Sequence, residues 1–339
     1  AEKKGFAKES CRHFESRDDL AAALKEVVAK GDAVLFKGSR GMKLILKKIS
    51  AATGAALLAA TLASCSGSTS SAGVKSYNFD SIKPDAEIAA MVPQANRDTL
   101  RVAMDIPYSP AEFFDSNNQP VGYEVDVLKA LSKLMGVSEL KISDEDFDAI
   151  IPKINDGTYD IGVASMTVTK SRMAQTNMVA YIESGYIYGT QAGNPNNFDP
   201  TNACGLKVAA QADTTQAETL QATSDSCVKA GKPEIQIVTD ADQDKLVEQV
   251  AAGTLDAIIG ESPIMAYAES RNPKFATIGE AFQVAPQGPA TAKDNPELAK
   301  AIQAGLQKMM DTGMLKEVLA PWGEEFIALN YATLNPPIA

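Results

Sequence analysis

Apolar and polar positions along the chain alternate between two periods. Leu100-Arg101-Val102-Ala103-Met104 reads as a buried strand. From Glu124 to Met135, the residues Leu128, Leu131 and Met135 recur at helical spacing, and Gly136 ends the run. Phe147, Ile150, Ile151 and Ile154 repeat that spacing over 147–155, with Gly157 as the stop. Tyr159–Ala164 and Leu206–Ala210 are the next apolar runs of strand length. Strands alternating with helices predict an α/β protein with largely parallel sheets.

One unit of this pattern occurs twice. Gly157-Thr158-Tyr159-Asp160 leads into Ile161-Gly162-Val163-Ala164 and reaches Ser165. Gly253-Thr254-Leu255-Asp256 leads into Ala257-Ile258-Ile259-Gly260 and reaches Glu261. Asp160 and Asp256 lie 96 residues apart, too far for a solenoid repeat and suited to two homologous lobes. Open α/β sheets bind ligands at the C-terminal ends of parallel strands. Ser165 and Glu261 are therefore expected to face each other across a cleft. The alternative is that Gly-x-x-Asp before a strand is ordinary α/β punctuation.

Composition narrows the function classes. The chain has 339 residues, 45% hydrophobic and 22% charged, which suits about two domains and excludes wholesale disorder and a polytopic membrane protein. The net charge of −11 argues against nucleic acid as a partner. The single histidine, His13, removes His-based triads and most metal sites. Cys11, Cys65, Cys204 and Cys227 form no C-x-x-C pair, which removes zinc ribbons and iron–sulfur clusters. No cofactor and no metal is expected. The charge is also uneven: residues 1–49 carry 12 basic and 7 acidic side chains, the remainder 20 and 36. Two different pieces have been joined.

The junction has the form of a secretory signal. Met42-Lys43-Leu44-Ile45-Leu46-Lys47-Lys48 is basic, Ile49–Ser64 is uncharged and rich in Ala and Leu, and Ser66–Gly73 is a Ser/Gly run. A core helix or a membrane anchor is the alternative, but the apolar run is short for a span. The ending Leu62-Ala63-Ser64-Cys65 resembles the bacterial lipobox, which implies that Cys65 is the lipidated first residue of the mature protein. Met42 is then the natural start. Residues 1–41, with His13-Phe14, Leu20–Lys25 and Gly31–Met42, resemble the C-terminal tail of the Mur ligase that adds D-Ala-D-Ala to the cell-wall precursor. No nucleotide loop accompanies that tail, and the segment is expected to be silent, a fusion or a misplaced gene start.

From residue 100 to about 323 the chain resembles the amino-acid branch of the bacterial solute-binding proteins that serve ABC importers. The resemblance rests on Gly122-Tyr123-Glu124-Val125-Asp126-Val127, on Phe147-Asp148-Ala149-Ile150-Ile151-Pro152, and on Asp160-Ile161 running through Ser165–Arg172. It also rests on Gln211-Ala212-Asp213-Thr214-Thr215-Gln216 and on Leu255–Pro263. It implies a two-lobed periplasmic binding protein of type II, a "Venus flytrap" with a ligand cleft between lobes. Lobe 1 is expected over 98–185 and 286–339, lobe 2 over 186–285, after a signal at 42–64 and a lead-in over 65–97.

A zwitterionic amino acid needs a cation and N–H donors for its carboxylate and an anion for its ammonium. Arg172 matches the family's carboxylate-binding Arg, able to grip with two parallel charge-assisted bonds; a surface ion pair is the alternative. Thr167 would add its hydroxyl and N–H, and Ser165 an acceptor for the ammonium. Thr214 and Thr215 stand where a helix starts, which favours an anion and also allows simple N-capping. Glu261 would meet the ammonium from the second lobe, although the family usually has Asp there. Tyr108 and Phe147 match two aromatic walls; Phe147 could equally be helix core. Asp105 matches a position by the side-chain pocket, with Glu112 just beyond, and Gln211 stands where some relatives have Lys. No second cation accompanies Arg172, which favours a neutral polar or basic amino acid over glutamate. Cys204 and Cys227, in a segment expected outside the cytoplasm, should form a disulfide; two free buried thiols are the alternative.

The resemblance implies a lipid-anchored capture protein on the outer face of the cell membrane. It would act as a monomer, close on a free amino acid and deliver it to a permease. The rival readings are a dehydratase-like enzyme on the same fold, which would need a proton-transfer group at the ligand's reacting carbon, and an amino-acid-sensing ectodomain.

Overall fold

A computed structural model of the chain describes residues 77–338. The ligase-like stretch 1–41, the signal segment 42–64, Cys65 and the Ser/Gly tether lie outside the described residues.

In chain order the first strands are β1 (Thr99–Met104), β2 (Phe113–Phe114), β3 (Pro120–Val121), β4 (Glu139–Asp144), β5 (Ile161–Gly162) and β6 (Thr176–Gln191). The later ones are β7 (Lys207–Gln211), β8 (Gln236–Asp240), β9 (Ala257–Glu261), β10 (Phe275–Gln287), β11 (Ala290–Ala292) and β12 (Ala328–Leu334). The main sheet runs β4-β1-β5-β11-β6-β9-β7-β8. One arm is parallel, with β1 between β4 and β5; the other is parallel as well, with β7 between β8 and β9. Between them the pairing is antiparallel, so the sheet is mixed, where largely parallel sheets were expected. Because β6 leaves one arm and β10 returns to it, the two must run in opposite directions: Phe275 pairs with Gln191 and Gln287 with Ile182. The first part of β6 pairs with β11 (Met178 with Ala290) and the later part with β9 (Tyr186 with Glu261). β6 and β10 thus belong to both halves.

The repeated Asp explains why both arms are built alike. Asp160 accepts from the Arg101 backbone N–H at 2.8 Å, while its own N–H donates to the Arg101 carbonyl at 2.9 Å. Asp256 does the same with Lys207, at 2.8 and 2.9 Å. In each arm a carboxylate locks the entry of one strand onto the start of its parallel neighbour and fixes the register, which orders everything downstream. The arms then diverge. β5 is only two residues long where a strand over 159–164 was expected, because Ser165 turns the chain into the left-handed region (φ 44). β9 runs on to Glu261, which then opens the helix Ser262–Arg271.

Helices cover both faces. Tyr123–Leu134 and Phe147–Asn155 form where the apolar spacing predicts them. Gly122 opens the first of these with φ 141, and a Cβ there would lie 2.0 Å from the Ala111 carbonyl oxygen. The glycine lets the helix start tuck under the 108–112 turn, with Tyr123 and Glu124 donating backbone N–H to Pro110 and Ala111. Cores lie in both halves. In the first, Leu100, Val102, Leu131 and Leu306 are buried; in the second, Tyr188, Phe198, Val208, Leu220 and Ile259. Each such side chain stabilises the fold by about 1.5–3 kcal/mol. Cys204 and Cys227 form the expected disulfide, tying the loop before β7 to the helix Thr215–Lys229.

Candidate functional site

The C-terminal ends of the two parallel arms meet at one cleft. It holds about 270 Å³ of space between protein atoms, part of it open to solvent. Asp105, Tyr108, Phe147, Ser165, Thr167 and Arg172 line one wall; Thr214, Thr215 and Glu261 line the other. Every residue singled out from the sequence for ligand contact is brought to this one place. Gln211, Gln216 and Ala164 complete the lining.

The cationic end is Arg172, on the short helix Lys170–Gln175. Its Nη1 donates to the Thr167 carbonyl at 2.9 Å, and its guanidinium stacks over the Phe147 ring with 5.0 Å to the centroid. Burial pulls its pKa down. Among the described residues no carboxylate forms an ion pair with it. A half-buried guanidinium with one backbone partner keeps donors for an incoming carboxylate. Phe147 is thus both helix residue and wall, and its ring faces the cation.

Facing it is Glu261, at 2% exposure. Oε1 accepts from Gln216 Nε2 at 2.8 Å, and Oε2 has no hydrogen-bond partner among the described residues. Burial pushes its pKa up to about 7, opposed by the nearby Ser184, Gln216 and Arg172 side chains. Glu261 occupies the N-cap position of its helix without capping it, so the side chain is left to face the cleft. Its partner Gln216 was passed over by sequence reasoning although it ends the Gln211–Gln216 motif.

Hydroxyls join the walls. Thr215 Oγ1 accepts from Tyr186 at 2.6 Å and lies 3.4 Å from Thr167 Oγ1 across the cleft. Thr214 does cap its helix, accepting from Ala217 N–H, and donates to the Gln211 carbonyl at 2.8 Å. The first N–H groups of that helix have no intrahelical acceptor. Ser165 is held by Glu124, which accepts its backbone N–H at 2.5 Å and its hydroxyl at 3.1 Å, and the Tyr123 hydroxyl lies 3.2 Å from that same Ser165 oxygen. Glu124 stood in a quoted motif, with no role of its own assigned from the sequence.

The other end of the cleft is acidic. Asp105 accepts from Gln211 Nε2 at 2.6 Å, a bond between the two walls. Its pKa is pushed up to about 7, chiefly by burial, with Asp144, Asp146 and Asp242 adding to the rise. The cleft therefore offers a cation in Arg172 and carboxyls in Glu261 and Asp105, with the Tyr108 ring in the same lining.

A mixed sheet of two like arms, joined by crossing strands and opening on a charged cleft, defines the two-lobed fold of the type II periplasmic binding proteins. The model of the bacterial extracellular solute-binding proteins, family 3, matches residues 100–325, and the chain belongs to that family. It is 32% identical over 300 residues to the arginine-binding protein ArgT of Corynebacterium glutamicum, covering 86% of this chain and 97% of that protein. Among solved structures it resembles an ancestral arginine-binding protein bound to arginine. Its TM-score is 0.62 at 27% identity, over 67% of this chain and 99% of that one. The same kind of ancestral protein bound to glutamine gives a TM-score of 0.61 at 28% identity, again over 67% and 99%.

Proposed function

We propose that this protein is the substrate-binding component of an ABC importer and that its ligand is a cationic amino acid with the chemistry of arginine. The observation that carries the reading is a pair of opposite charges in one cleft, each with hydrogen-bonding capacity to spare. Among the described residues Arg172 has no carboxylate partner, and Glu261 has an unpartnered oxygen. An α-carboxylate and an α-ammonium complete them, and both charges are offered together only when the halves are closed, so the ligand favours the closed form. Ser165, Thr167 and the first turn at Thr214–Thr215 add the neutral contacts. The acidic far end with Asp105 suits a guanidinium, and the arginine-binding relatives support that choice over a neutral amide.

The lobe boundaries near 185 and 286, a lipid anchor on Cys65, delivery to a permease and action as a monomer belong to the same reading. A thermal-shift screen against the standard amino acids tests its core. Arginine is expected to raise the melting temperature most, lysine less, and glutamate not at all. No shift with any amino acid would overturn the reading. Mass spectrometry of the cell-derived protein should find Cys65 acylated at the N-terminus of the mature chain; an unmodified Cys65 would remove the anchor.

A further inference from the structure

Beneath the cleft lies a carboxyl group that the binding scheme does not use. Glu112 is fully buried, and neither carboxyl oxygen has a donor to accept from among the described residues. Its backbone is pinned opposite Tyr108, whose N–H donates to the Glu112 carbonyl at 2.7 Å. Glu124, equally buried, lies beside it: its backbone N–H donates to the adjoining Ala111 carbonyl at 3.1 Å, and its carboxyl is the nearest charge acting on that of Glu112. Glu124 already accepts the Ser165 N–H, the Ser165 hydroxyl and, at 2.7 Å, the Tyr181 hydroxyl. Two neighbouring carboxyls, both out of reach of water, are stable only if one carries a proton.

We infer that Glu112 and Glu124 share one proton, and that the resulting acid–carboxylate pair is the positioning device that holds Ser165 toward the ligand. Three donors converge on Glu124, which keeps the charge there, so the proton sits on Glu112 and its O–H donates to Glu124. Ser165 needs this anchoring because it occupies φ 44, a region a non-glycine residue adopts only under local constraint. With its own hydroxyl hydrogen committed to Glu124, Ser165 presents a lone pair to the cleft, which is what an ammonium requires. The other groups facing the pair are Tyr108, Tyr123 and Tyr181, together with the carboxyls of Asp105 and Glu261. All are neutral or acidic, so no cation takes the proton's place, and burial raises Glu112 far above the usual carboxylate range.

The positioning half of this inference rests on the amino-acid reading, whereas the proton-sharing half does not, and unfolding without ligand separates them. A carboxyl raised in the folded state contributes stability present at low pH and lost as pH rises toward its folded value. Above about pH 8, Asp105 and Glu261 have already ionised, each being pushed only to about 7. In that range the unfolding constant of the wild type is expected to rise by up to about tenfold per pH unit from this one proton. In Glu112→Gln, whose amide donates permanently, that rise should disappear; an unchanged slope would overturn proton sharing. Arginine affinity should stay within about threefold of wild type in Glu112→Gln and fall at least about tenfold in Glu112→Leu, which gives Glu124 no donor. Equal affinities in the two variants would overturn the positioning role. Should Glu112→Gln not fold, infrared spectra of the wild type decide: a buried un-ionised carboxyl band persisting at about pH 9 supports the pair, and its absence contradicts it.

Discussion

The two arms of the sheet start from the same device and end in different chemistry. Asp160 on Arg101 and Asp256 on Lys207 make the same pair of backbone bonds. Five residues on, one arm presents Ser165 and the other Glu261. In the first arm the strand stops after two residues and the chain turns, so a small hydroxyl is held against a buried carboxylate below it. In the second the strand runs its full length and delivers a long acid whose end oxygen is unpartnered. The cation is likewise on one side only, at Arg172. The frame sets where a side chain arrives, and the local turn decides whether it arrives as a neutral acceptor or as a charge.

That asymmetry predicts graded effects of substitution. Arg172→Ala should weaken arginine binding by about 100-fold or more in titration calorimetry, since two charge-assisted bonds of about 1.5–3 kcal/mol each are lost. A change under about tenfold would mean that the carboxylate is held elsewhere. Next in size is the disulfide, present only in the second arm. Cys204→Ser with Cys227→Ser, closing a sequence separation of 23, should lower unfolding stability by about 3 kcal/mol through freedom restored to the unfolded chain. Because the bridge lies away from the cleft lining, arginine affinity should hold, and a loss of binding in a folded variant would break the picture of a site independent of that loop.

Glu261→Gln should weaken binding by about tenfold or more at pH 8 and leave only the pH dependence that Asp105, also raised to about 7, contributes. The signs are opposite for folding and for capture. Without ligand, a carboxyl raised to about 7 contributes stability that is lost as pH climbs from the ordinary carboxylate range through 7. The ammonium needs the ionised form, so affinity should fall as pH drops below about 7, by up to about tenfold per unit for one proton. A wild-type affinity flat from pH 5 to 8 would remove Glu261 from contact with the ammonium. The smallest expected effect is on selectivity: Asp105→Asn should reduce the preference for arginine over glutamine by about tenfold while leaving glutamine binding nearly unchanged.

Much of this was legible because the positions concerned carry local signals. The Gly-x-x-Asp echo located both strand ends, and helical spacing located Phe147. Other parts carried none. β6 is buried almost throughout its 16 residues, so it shows no alternation and does not read as a strand that serves both halves. The short β5 depends on a turn held by Glu124 from 41 residues away. Glu112 and Glu124 resemble ordinary acidic residues in a turn and a first helical turn; only their burial against each other reveals a different role. Gln216, likewise, gains meaning from a partner 45 residues later.

One amino acid is expected to span the charges of both halves. Titration of arginine and of agmatine, its analogue without the α-carboxylate, into wild type and Arg172→Ala tests it most directly. Wild type should prefer arginine by about 100-fold or more, and Arg172→Ala should lose nearly all of that preference. Equal binding of the two ligands by wild type, or a preference that survives the loss of Arg172, would contradict it.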